Sequence, residues 1–238
     1  MQLNTGDAYL IFKTIGIITF IVMGGHCLKR LNISGKKAYK ITALATLLGF
    51  IGGRIWYLIQ HILGRENYDI TGWYRVWDNP GTVLYGWILA CALFLHYLSK
   101  KENISFLKLF DAIVPGLLIG QALNRLGCAA AGCCYGKPLH APWAIYNYSL
   151  GQYVHPVQLY EMIFDLALFG LIQAPSKKFE GRNTIYYFIG YPLARFIFEF
   201  FRGDNLPTLF GLTVPQISSI AILAALFLIW LTRPGSDR

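Results

Sequence analysis

The run LARFIFEFFRGDN, residues 193–205, carries Arg195, Glu199 and Arg202 inside an otherwise apolar and aromatic stretch. Offsets of four and seven residues put all three on one face of a helix. Glu199 can neutralise either arginine, which leaves one guanidinium to bind an anion through two parallel hydrogen bonds. A second stripe, His155, Gln158, Glu161 and Asp165 in HPVQLYEMIFD, advances by three, three and four residues and also shares a face. Pro156 suits its first helical turn. The third segment, NRLGCAAAGCCYGKP over 124–138, sets Arg125 ahead of Gly127, Gly132 and Gly136. A cation followed by a loop of backbone N–H donors suits a phosphate ester, and the glycines permit close backbone approach to it. As a metal site the segment is poor by spacing: Cys128, Cys133 and Cys134 with His140 lack the paired pattern of zinc motifs. Outside the cytoplasm Cys128 could instead form a disulfide with Cys133 or Cys134.

What must position these residues follows from composition. The chain has 238 residues, 55% hydrophobic and only 14% charged, against about 25% charged in an ordinary soluble protein. Mean hydropathy is +0.45. The apolar residues fall into long runs at 8–27, 41–62, 82–98, 107–123, 157–174, 184–201 and 214–232. Each approaches the about 20 residues that cross a bilayer as a helix. The sequence therefore reads as an all-α integral membrane protein, a single transmembrane domain over 1–238 with seven transmembrane helices. Secreted, disordered and nucleic-acid-binding classes are excluded. The longest joint on one side, 124–156, is rich in Gly, Pro and aromatics and is expected to form a small irregular extracytoplasmic head.

The net charge of +9 is a statement about loops. Lys29, Arg30, Lys36, Lys37 and Lys40 follow the first run, and Lys100, Lys101 and Lys108 the third. Lys177, Lys178 and Arg182 follow the fifth, and Arg233 and Arg238 the seventh. The opposite loops hold only Arg65, Arg75, Lys137 and Arg202. The positive-inside rule then places the N-terminus outside and the C-terminus in the cytoplasm. Met1 to Asp7 contains no Lys or Arg, and no small-residue cleavage pattern follows the first run, so that run is expected to stay as a span. The basic residues left over, Lys13, Arg54, Arg125 and Arg195, fall within or beside spans. A charge in hydrocarbon costs several kcal/mol, so each marks a functional position by default.

Four segments, GGRIWYLI (52–59), NRLGCAAAGCCYGKP (124–138), HPVQLYE (155–161) and RFIFEFFRGD (195–204), together resemble the bacterial phosphatidylglycerol–prolipoprotein diacylglyceryl transferase family, and in that family's order. The resemblance implies a cofactor-free enzyme of the bacterial cytoplasmic (inner) membrane, acting as a monomer among membrane lipids. It would move the diacylglyceryl group of phosphatidylglycerol onto the lipobox cysteine of a prolipoprotein signal peptide, releasing glycerol phosphate, with no nucleic acid involved. By that resemblance Arg125 matches the family's essential arginine, and Gly127, Gly132 and Gly136 match its glycines. Arg195, Glu199 and Arg202 match an R-x3-E-x2-R run, Arg54 a second-span arginine, and Gln158, Tyr160 and Glu161 a Q-L-Y-E run. Tyr9 is set against a first-span tyrosine. The catalytic set implied is Arg125, Arg195, Glu199 and Tyr85.

The departures are specific. The family's S-F-H-G-G-L signature falls on Val83–Ile88, so its histidine is Tyr85 and one glycine is Trp87. A signature asparagine is Cys128 and a family glutamate is Cys133. Two other readings compete on those positions. One is a non-catalytic relative that binds lipid or signal peptide only. The other is a transporter or thiol-redox membrane protein using the clustered cysteines, against which stand the lack of a repeated half and of a Cys-x2-Cys pair.

Overall fold

A computed structural model of the chain describes residues 5–63, 84–174, 180–205, 207–208 and 210–232. Among them run seven α-helices: α1 (Thr5–Lys29), α2 (Gly35–Leu63), α3 (Leu84–Glu102), α4 (Phe106–Ala131), α5 (Val157–Gln173), α6 (Arg182–Phe198) and α7 (Val214–Thr232). Each overlaps one of the apolar runs. Val83, Arg65, Arg75, Lys177, Lys178, Arg233 and Arg238 lie outside the described residues. Four helices, α1, α2, α4 and α7, are long and apolar enough to cross a membrane, and the chain is a membrane protein. α5 and α6 have 17 residues each, about 26 Å at 1.5 Å per residue, which falls short of a hydrocarbon core of about 30 Å.

The head is more regular than expected. Strands β1 (Ile145–Asn147) and β2 (Gln152–Val154) form an antiparallel hairpin with Ile145 opposite Val154. Asn147 builds its turn: its side-chain oxygen accepts from the backbone N–H of Ser149 and Leu150 at 3.0 and 3.1 Å. Its amide donates to the Gly132 carbonyl at 3.0 Å, which ties the hairpin to the glycine loop. Asn and Asp favour such turns because their side chains mimic a backbone acceptor.

The chain divides into two compact units, Ile21–Ile113 and Met1–Phe20 with Val114–Arg238. In Ile21–Ile113, α2 and α3 pack backbone to backbone. A Cβ on Gly52 would stand 2.6 Å from the Gly86 carbonyl oxygen, and one on Gly86 would strike Gly52 and Trp56. Only hydrogen fits at either place. The indole of Trp87 takes the space that a Cβ on Gly49 would fill. The Cys91 thiol donates to the Ala45 carbonyl at 3.1 Å, and Thr42 Oγ1 donates to the Ile21 carbonyl at 3.1 Å. α3 ends in a left-handed residue, Asn103 (φ 53°), with Ile104 N–H bonded back to the Ser99 carbonyl at 3.2 Å. This is the closure that satisfies the last carbonyls of a helix.

In the second unit, α1 and α4 approach at another glycine pair: a Cβ on Gly16 would meet the Gly120 carbonyl oxygen at 2.8 Å. Gln121 on α4 donates to the Tyr187 hydroxyl on α6 at 2.8 Å. Arg182, expected as a loop charge, is buried, and its guanidinium bonds the Ile172 carbonyl. It satisfies an acceptor in the last turn of α5, where a cation also complements the helix dipole. Gln216 accepts from the Thr213 N–H at 3.0 Å and so caps the start of α7.

Candidate active site

α5 explains why its polar stripe faces inward. Its buried residues are Val157, Gln158, Glu161, Asp165, Leu168 and Ile172, one side of the helix. Glu161 is the hub of what the stripe meets. Its Oε2 lies 2.5 Å from Arg125 Nε on α4, and its Oε1 lies 2.6 Å from Arg195 Nη1 on α6 and 3.8 Å from Arg202 Nη1. Arg195 reaches on to Glu199, Nη2 to Oε2 at 2.9 Å, across one helical turn. Three guanidinium groups therefore surround one carboxylate, with Glu199 as the second anion.

The sequence reading of 184–201 as one continuous helix needs correction here. α6 ends at Phe198, Glu199–Phe201 tightens into a 3₁₀ turn, and Arg202 is extended (φ −74°, ψ 142°). The cause is a backbone partner elsewhere. Gly136 and Arg202 form an antiparallel bridge, in which Lys137 N–H donates to the Phe201 carbonyl at 2.8 Å and Gly203 N–H to the Tyr135 carbonyl at 3.0 Å. Arg202 still returns to its expected neighbour, 3.9 Å from Glu199.

A second correction concerns which cation is left over. Arg195 spans Glu161 and Glu199, and Arg202 holds Asp204 with two nitrogens, Nε at 2.8 Å and Nη2 at 2.5 Å. Neither is unengaged. Of these three arginines, Arg125 has a single carboxylate partner, Glu161, and 17% of its side chain is accessible. Asp204 and Asn205, whose amide donates to Glu199, were missed by sequence reasoning. The Arg-Gly-Asp adjacency was the available signal, because a turn at glycine lets a residue pair with the one two places on. With Asp204 counted, three arginines face three carboxylates, the balance that makes buried charge tolerable. Asp165, buried one turn beyond Glu161, stands outside these pairs and lines a narrow cleft with Glu161, Tyr191 and Arg195.

The glycine loop is fastened to the same cluster. Gln158 donates to the Cys133 carbonyl at 2.6 Å. Gly136 packs so tightly on His155 that a Cβ there would strike its backbone oxygen. Gly127 lies against Tyr9, whose carbonyl oxygen a Cβ would meet at 3.2 Å. Gly132 takes a left-handed φ of 69°, which L side chains rarely adopt. Tyr160 is 3.4 Å from His155 Nδ1 through its hydroxyl. Hydrogen bonds from Cys128 and Cys133, and then the cations Arg202 and Arg125, hold the Cys134 thiol well below its ordinary range despite burial.

Of the residues singled out from the sequence, Tyr9, Arg125, Gly127, Gly132, Gly136, Gln158, Tyr160, Glu161, Arg195, Glu199 and Arg202 thus belong to one unit. Arg54 and Tyr85 belong to Ile21–Ile113. There Arg54 is buried with its guanidinium 5.2 Å from the Tyr57 ring centre, and Tyr85 is half-buried in the first turn of α3. Chemically, a cluster of guanidinium groups is suited to an anionic headgroup and to charge developing on a leaving phosphate. The expected loop of N–H donors needs correction, since Arg125 and Gly127 lie in α4 and the N–H groups of Gly132, Cys133 and Lys137 are bonded to the Ala129, Cys128 and Phe201 carbonyls.

A membrane protein with this constellation is equipped to hold an anionic lipid headgroup, and the comparisons name the family. The model of the prolipoprotein diacylglyceryl transferase family matches residues 5–232, and the chain belongs to that family. It is 35% identical to the phosphatidylglycerol–prolipoprotein diacylglyceryl transferase of Finegoldia magna over 226 residues, 91% of this chain and 87% of the relative. It is 30% identical to the enzyme of the same name from Clostridium tetani over 233 residues, 90% and 88% of the two chains. With phosphatidylglycerol–prolipoprotein diacylglyceryl transferase 2 of Clostridium perfringens it shares 33% identity over 203 residues, 79% and 75%.

Proposed function

We propose that this chain transfers the diacylglyceryl group of phosphatidylglycerol to the lipobox cysteine thiol of a prolipoprotein, releasing glycerol phosphate. A carbon–sulfur bond forms, the carbon–oxygen bond to the phosphate breaks, and the thiol proton leaves to the phosphate or solvent. The observation that carries the reading is the gathering of Arg125, Arg195 and Arg202 around Glu161, in a chain of this family. Arg125, the least committed cation, takes the lipid phosphate and stabilises the charge it gains as the bond breaks. Arg195 is held in place by Glu161 and Glu199, and Arg202 by Asp204 and the Gly136 bridge. Gly127 and Gly136 act by letting Tyr9 and His155 pack against the backbone and Gly132 by turning the chain, with Gln158, Tyr160 and Tyr9 around the headgroup.

Tyr85, where the resemblance puts the family's histidine, and Arg54 act on the lipid from within Ile21–Ile113. A strong base is dispensable, because the incoming thiol has an ordinary pKa of about 8.5 and arginines favour its thiolate. The chain is read as a single membrane domain whose seven helices are spans of the bacterial inner membrane, with the N-terminus and the 124–156 head outside, and as a monomer. The charge asymmetry of the loops and the seven-helix order support that arrangement.

The test is a transfer assay: purified chain in phosphatidylglycerol vesicles, with the lipid labelled in its acyl chains and a lipobox peptide as acceptor. Label is expected in thioether linkage to the peptide cysteine, and none in a peptide carrying Ser there. A folded chain that binds phosphatidylglycerol and never transfers it would overturn the reading in favour of a binding-only relative.

A further inference from the structure

Cys128, Cys133 and Cys134 occupy positions that the phosphate chemistry leaves unexplained. The linear spacing argued against a metal site, but the fold alters the geometry. Cys128 lies buried in the last turn of α4, and the turn after Ala131 folds the chain back over it. The Cys133 N–H bonds the Cys128 carbonyl at 3.2 Å. Cys134 adopts a left-handed φ of 58°, a conformation L residues rarely take. Neighbouring side chains in extended backbone point apart; here all three Sγ atoms lie within 4.8 Å of one another. None of the three is in a disulfide.

We propose that Cys128, Cys133 and Cys134 form a binding site for one soft d¹⁰ metal ion, zinc(II) or copper(I). Three metal–sulfur bonds form as the three thiol protons pass to solvent. Metal–sulfur bonds of about 2.3 Å in tetrahedral geometry set sulfurs about 3.8 Å apart, so the trio needs a contraction of about 1 Å at most. Thiolates select such ions over hard cations. Three thiolates around either ion leave net negative charge, and Arg125 and Arg202 are cations of the same unit that offset it. Cys133 is exposed, which gives the ion an entry path and leaves a fourth position for water. Two converging thiols would suit a disulfide, whereas three suit an ion.

The test uses the full chain, reduced, metal-free and in detergent, titrated anaerobically with cadmium(II) as the spectroscopic probe. The thiolate-to-cadmium charge-transfer band is expected to saturate at one ion per chain. Zinc should displace cadmium if the site prefers the divalent ion, and chelator-buffered copper(I) alone should do so if it prefers the monovalent one. Each of Cys128→Ser, Cys133→Ser and Cys134→Ser should weaken cadmium binding more than about tenfold, the smaller of the losses seen when even a residue behind a ligand is removed. Cys27→Ser and Cys91→Ser should leave it unchanged. Absence of the band at one equivalent would overturn the proposal, and so would wild-type affinity in any of the three variants. Thiol counting on unfolded chain isolated without reductant and stripped of metal should find all 5 cysteines reactive. A count lowered by two, and restored to one per remaining cysteine in Cys128→Ser, would mark a disulfide and also overturn it.

Discussion

Each of the two units has its own kind of internal cohesion. In Ile21–Ile113 the α2–α3 seam depends on the absence of side chains at Gly49, Gly52 and Gly86, and it accepts a tryptophan at 87 because a glycine faces it. In the other unit Glu161, Arg125, Arg195, Arg202, Glu199 and Asp204 depend on one another's charge. A packing seam absorbs a change of shape when the facing residue is small. A buried charge network absorbs no change of charge, since each deletion strands a partner in low dielectric.

The sharpest way to break that contrast is Glu161→Ala. It leaves three arginines short of their shared anion and is expected to destabilise the fold by about 3–5 kcal/mol, read as lost thermal stability in detergent. A change under about 1 kcal/mol, the worth of an exposed pair, would show the network to be solvated. Arg125→Ala comes next. It should cost less stability than Glu161→Ala, because Glu161 keeps Arg195 and Arg202, yet transfer per folded molecule should fall by about 10²–10³, the usual cost of a lost charge-stabilising donor. Arg125→Lys should recover little, as a point charge cannot make the planar double contact.

On the packing side, Gly86→Ala should destabilise by about 1–3 kcal/mol, the range for overpacking, and lower the yield of folded chain without altering transfer per folded molecule. A specific-activity loss matching that of Arg125→Ala would erase the distinction between the units. The smallest effects are expected at Tyr85. Tyr85→Phe should slow transfer about tenfold, equivalent to about 1.4 kcal/mol, and Tyr85→His should be tolerated. Loss of transfer in Tyr85→Phe as deep as in Arg125→Ala would move the chemistry to α3.

Much of this was legible in the residue order. Helix positions followed from the apolar runs, because a bilayer demands about 20 of them together whatever the tertiary contacts are. That Glu161 needs a cationic partner was legible too, since a lone charge inside apolar helices is costly; that it takes Arg125 and Arg195 together was not. The 3₁₀ turn at Glu199 and the bidentate hold of Asp204 on Arg202 were not. Both follow from a backbone bridge between Gly136 and Arg202, 66 residues apart in the chain, and no local pattern records such pairing. The contact made by Arg182 was hidden for a related reason. A basic residue beside a helix end looks like a loop charge until the carbonyl it satisfies, on the preceding helix, is known. The meeting of three thiols was hidden likewise, because it depends on the left-handed turn at Cys134.

The most direct measurement sets Arg125→Ala beside Tyr85→Phe in one assay, each normalised to folded chain, with labelled phosphatidylglycerol and a lipobox peptide. Transfer lost about 10²–10³-fold in the first and only about tenfold in the second is the expected result, placing the phosphate on the arginine cluster. Wild-type transfer by Arg125→Ala would contradict it.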